Sequence, residues 1–97
     1  MDPLSDDELA EIAARAGAAT KAPWECFVEG RDHSAGDNFI RTGGLDDGSP
    51  DMYVTHYYRV ENPKPVPAPP ADLDFIAHAR QDIPRLIAEI ERLRATR

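Results

Sequence analysis

An α+β fold is predicted for this chain: an N-terminal helix, a three-stranded antiparallel sheet, and a C-terminal helix broken or kinked near Pro84. Helical spacing of apolar residues marks both ends and strand alternation marks the middle. The strand-like runs are joined by loops too short for parallel crossovers. The 97 residues are read as one domain with a modest core.

The first helix is expected over 6–18. Ser5 stands as N-cap with Glu8 three residues on, the spacing of a capping box, and Leu4 and Leu9 are spaced for a hydrophobic staple. Asp6, Asp7 and Glu8 put negative charge at the positive end of the helix dipole. Leu9, Ile12, Ala13 and Ala16 form a narrow apolar stripe, and Gly17 is the expected C-terminal cap. Strands are expected over 24–30, 38–42 and 52–60. In the first, Trp24, Cys26 and Val28 alternate with Glu25, Phe27 and Glu29. The third is rich in β-branched and aromatic residues. Met52, Val54, His56, Tyr58 and Val60 share one of its faces, while Tyr53, Thr55 and Tyr57 line the other. Neither face is purely polar, so the Tyr53/Tyr57 side is expected to meet a helix, a partner or a ligand.

Five prolines between Pro63 and Pro70 predict an extended connector over 62–71, because proline fixes φ and removes a donor. A helical region follows over 72–95. Ile76, Ala79, Ile83, Leu86, Ile90 and Leu93 recur at spacings of three and four, straight through Pro84. Inside a helix, Pro84 would lose the bond to the Arg80 carbonyl at about 3 kcal/mol. A break over Gln81 to Pro84, with Asp82 as a new N-cap, removes that cost. The stripe is expected to press on the sheet. Leu86, Ile90 and Leu93 at its far end are candidates for a homodimer interface.

With 11 Lys and Arg against 18 Asp and Glu, the net charge of -7 argues against a nucleic-acid binder and points to a protein partner with a basic face. A single cysteine excludes an internal disulfide and fits a reducing compartment. The first residues carry neither the basic start nor the apolar run of a signal peptide, and no run of 18 apolar residues occurs. A cytoplasmic location without membrane contact is expected.

Candidate chemistry is sparse. His33 lies between Asp32 and Asp37, with no second metal ligand at a diagnostic spacing. His56 and Cys26 would make a Cys–His nucleophile if they met across the sheet; a packed histidine beside a buried thiol is the commoner arrangement. Asp46 and Asp47 lie in an acidic Gly-rich loop that lacks the frame of a calcium site. His78 is expected to be exposed. No catalytic, metal or cofactor set assembles, and the chain is not expected to be an enzyme.

The two flanks, LAEIAARAGAATKAPWECF and DLDFIAHARQDIPRLIAEIERLR, resemble those of small actinobacterial and actinophage proteins of unknown function. They are also similar to the start of phage early-region accessory proteins with an ATPGPW…FIAAA frame. Here ATKAPW stands in place of ATPGPW, so the turn glycine is lost while Pro23 and Trp24 remain. The resemblance implies a small α+β fold and a phage or mobile-element setting, and it implies no catalytic residues. Trp24 and Phe75 are large enough to anchor helix to sheet.

The expected function is that of a non-catalytic accessory protein that binds a host macromolecule through Tyr53, Tyr57 and the loops at 31–38 and 43–51. The alternative is a small-ligand or nucleotide-signal binder that uses the same loops, with His33 among its candidate residues, as a homodimer; a pocket in which Arg31, Arg41 and Arg59 converge would favour it.

Overall fold

Cap chemistry fixes where the first helix begins. The Ser5 hydroxyl accepts from the Glu8 amide and the Glu8 carboxylate accepts from the Ser5 amide, both at 3.0 Å, and α1 runs over Asp6–Ala18. It passes through Gly17, so that residue is not the C-cap; Ala19 is. The computed structural model describes residues 2–34, 36–44 and 48–96. Asp46 and Asp47 lie outside them.

Three short strands, β1 (Glu25–Phe27), β2 (Phe39–Arg41) and β3 (Asp51–Tyr53), form an antiparallel sheet in that order. Cys26, Ile40 and Met52 are in register across it, as are Phe27, Phe39 and Tyr53. Between β1 and β2 the chain makes a tight turn. Val28 O accepts from the Arg31 and Asp32 amides at 3.0 and 2.8 Å, and Asp32 Oδ2 accepts from the Val28 amide at 2.8 Å. Gly30 takes φ +83°, the left-handed conformation that favours glycine.

The expected strand over 52–60 is two strands in two sheets. It breaks at Val54, whose side chain packs against the core, and continues as β4 (Thr55–Tyr57). β4 pairs with β5 (Pro65–Pro67), which lies inside the expected connector. The prolines permit this because they alternate. Ala68 N donates to Val54 O at 3.0 Å, and the antiparallel ladder then places its next bonded pair at His56 and Val66. Pro65 and Pro67 occupy the intervening positions, where no N–H is required.

The C-terminal helix α2 spans Pro70–Ala95 as one element, with Pro70 in its first turn and Pro84 inside. The split expected between Gln81 and Pro84 is absent. Packing on either side of Pro84 offsets the missing bond. Before it, Leu73 and Ala77 join Ile40 and Ala68 in the buried core, with Trp24, Cys26, Val54 and Ile76 partly buried around them. After it, Ile87 is buried along α1, in a cleft it shares with Ala13 and Ala16. The two helices run antiparallel: Arg94 reaches Asp6 and the Leu4 carbonyl, while Arg80 Nε donates to Thr20 O at 2.8 Å.

The buried stripe on α2 is shifted by one residue, about 100°, from the one expected. Leu73, Ala77 and Ile87 face inward, whereas Phe75, Ile83, Leu86 and Leu93 are exposed. Gln81 is part of the reason. Its side chain accepts from Trp24 N at 2.9 Å and donates to Trp24 O at 3.2 Å, so a polar residue holds the sheet-facing side. Trp24 thus anchors the helix to the sheet. Phe75, 76% exposed, does not.

Candidate binding face

α2 covers the Cys26–Ile40 side of the three-stranded sheet. The register leaves Phe27, Phe39 and Tyr53 on the other side, one from each strand. Their rings form a ladder, with Phe27 and Phe39 stacked at 5.2 Å between centroids and Phe39 and Tyr53 tilted at the same distance. The His33 ring, carried in by the 28–34 turn, lies 5.2 Å from Phe39. The Arg41 guanidinium is 4.8 Å from the Phe27 ring centre, and its Nε bonds Asp51 at 3.4 Å. Cross-strand aromatic pairs contribute about 0.5–1.5 kcal/mol each beyond burial, so each ring braces the next. The end of the ladder is open, with Tyr53 60% exposed, while Phe27 and Phe39 are half-buried. Tyr53 also borders a cleft of about 130 Å³ toward the second sheet, lined by Asn38, Val54 and Pro67.

Tyr57 belongs to β4 and is 61% exposed. It is on a different sheet from Tyr53, so the expected common tyrosine face is divided. The three arginines also separate. Arg31 grips Asp74 of α2 with Nη1 at 3.0 Å and Nη2 at 2.9 Å, and its Nη2 is 3.6 Å from Cys26 Sγ. It is therefore on the helix-covered side, opposite Arg41. Arg59 is exposed on the bend after β4. Among the expected residues, the structure groups Tyr53, Arg41 and His33. It adds Phe27, which strand alternation sets opposite Cys26, and Phe39; neither carries a functional reading in the sequence.

Charge around the turn follows from these bonds. Hydrogen bonds from Arg31 hold the Asp74 carboxyl below the usual carboxylate range, and the Val28 amide does the same for Asp32. Partial burial pushes the Cys26 thiol up, and its hydrogen bond to Asp74 adds to this. A thiol so biased is a poor nucleophile. His56 belongs to the other sheet and meets Asp72, Nε2 to Oδ2 at 3.2 Å. Among the described residues, no group of three or more His, Cys, Asp or Glu is placed to hold a metal, and no helix is long and apolar enough to cross a membrane.

Compared with protein-family models, with curated proteins and with solved structures, the chain matches none.

Proposed function

We propose that the chain is a non-catalytic accessory protein that binds a protein partner through the outer face of its three-stranded sheet. The observation that carries this reading is the open Phe27–Phe39–Tyr53 ladder flanked by Arg41. Tyrosine and arginine are the residues that most often dominate binding energy, and a ladder held by its neighbours loses little entropy on contact. Glu25 and Asp51 lie on the same side, in register with Arg41, and the chain carries a net charge of -7. The fitting partner therefore offers an apolar or aromatic group ringed by Lys or Arg. In the phage-borne setting that the flanking motifs resemble, such a partner is a host macromolecule.

The test is retention of proteins from host-cell extract on the immobilised chain, wild type against Tyr53→Ala. Tyr53 is largely exposed at the end of the ladder, so the variant keeps its fold and loses only the ring contact to Phe39, about 0.5–1.5 kcal/mol. The reading predicts that the specifically retained protein falls by about tenfold or more. Equal retention by the two would remove this face from consideration.

A further inference from the structure

One flank of α2 is covered neither by the sheet nor by α1. Ile83, Leu86 and Leu93 are 39%, 60% and 52% exposed, and Ile90 is half-buried beside them. Their three- and four-residue spacing puts them on one side of the helix. This side continues into an apolar cleft of about 420 Å³ between the helices, walled by Ile12, Ala16, Ile76 and Ile83.

The chain also carries more surface than its mass requires. Its accessible surface is 7254 Å² for 10.7 kDa. A folded monomer of that mass exposes roughly 5,500 Å². The surplus of roughly 1,700 Å² is about twice the ~800 Å² that one partner contributes to a standard interface. The radius of gyration, 16.9 Å, exceeds the roughly 12.5 Å of a compact chain this long.

We propose that this flank of α2, with the adjoining cleft, is a homodimer interface in which two copies pack their helix pairs across a two-fold axis. The stripe is self-complementary. Read in the opposite direction, Ile83, Leu86, Ile90 and Leu93 become Leu, Ile, Leu and Ile at the same spacings. Antiparallel pairing then sets Leu86 of one copy against Ile90 of the other, and Ile83 against Leu93, so each layer is apolar. Charge favours the same occupant. The charged residues around Leu86 are Asp82, Arg85, Glu89 and Arg92, two of each sign, so the flank is neutral within a strongly acidic chain. A second copy meets no net repulsion there, while a basic partner finds no acidic patch. The proposal is independent of the aromatic face, which lies on the sheet side that α2 does not cover.

Sedimentation equilibrium of the full chain tests it, with Leu86→Asp, the milder Leu86→Ser, and Tyr53→Ser as variants, each checked by circular dichroism. The expected mass for the wild type is that of two chains. Leu86→Asp is expected to be a folded monomer, and Leu86→Ser to weaken association roughly a hundredfold, because the two-fold axis removes two buried leucines at once. Tyr53→Ser is expected to leave the dimer intact. A wild type that is monomeric at 100-micromolar order, or a Leu86→Ser chain that associates as the wild type does, overturns the proposal. So does a dimer that Tyr53→Ser dissolves, since the sheet would then be the interface.

Discussion

Replacing Asn38 by alanine is expected to destabilise the fold by about 3 kcal/mol. Asn38 is 8% exposed and joins the two sheets. Its Oδ1 accepts from the Glu29 amide at 2.9 Å, and its Nδ2 donates to the Ala68 carbonyl at 2.8 Å. Each lost bond costs about 1 kcal/mol net, and an orphaned buried acceptor costs about 1–3 kcal/mol more. The Glu29 bond is only part-buried, whereas the Ala68 bond is buried and Ala68 itself fully so, so one orphan is counted. For a chain of this length the loss lowers the melting temperature by about 12 °C or more. Urea unfolding should show a reduced midpoint with an unchanged slope. Asn38→Asp tests the geometry separately. It keeps the bond from Glu29 but aims a carboxylate oxygen at the Ala68 carbonyl. A loss under about 0.5 kcal/mol for Asn38→Ala would show that water replaces the side chain and that Asn38 does not join the sheets.

Three further outcomes follow from the same packing. Leu73→Ala should cost about 2–5 kcal/mol, whereas Phe75→Ala, two residues away but exposed, should stay within about 0.5 kcal/mol; comparable losses in chemical unfolding would contradict the observed stripe. Pro84→Ala should raise stability by about 1–2 kcal/mol, since the Arg80 carbonyl regains its donor at some cost in unfolded-chain entropy; a neutral result in thermal melts would mean that the helix restarts at Pro84. Stability should fall on acidification from about pH 5. Glu8 (bonded to Ser5), Asp32, Asp74 and Glu89 (bonded to Arg92) all have lowered pKa values in the fold. Their contribution is present above the unfolded carboxylate pKa and lost as pH falls through the folded values. Asp74→Asn should flatten that dependence in melting scans, and an unchanged slope would count against the Arg31–Asp74 tie.

Much of this architecture could be read before any coordinates. The capping box at Ser5 and Glu8 is a local signal, and local chemistry forms it. Trp24, Cys26 and Val28 follow strand alternation, which survives tertiary packing when one face is covered. The misreadings arose where two patterns were equally good. α2 has apolar residues on two adjoining sides, and periodicity alone does not choose between Leu86 and Ile87. The choice is made by contacts distant in sequence, namely Gln81 with Trp24 and Arg80 with Thr20. β5 was hidden because proline density reads as a connector, yet the alternation of Pro63, Pro65, Pro67 and Pro69 is the signature of a strand whose odd positions need no donor. The aromatic ladder was half legible. Residue type singles out Tyr53 and Arg41, but their meeting with Phe27 and Phe39 depends on a register that loops set.

The most direct test of the open aromatic face as the working surface is a photocrosslinking residue in place of Tyr53, irradiated in host-cell extract. A matched chain carrying it in place of Lys64, exposed beside β5, serves as control. The account predicts one discrete covalent adduct with a host protein from the Tyr53 position and none from the control. No adduct at Tyr53, or the same adducts from both positions, would contradict it.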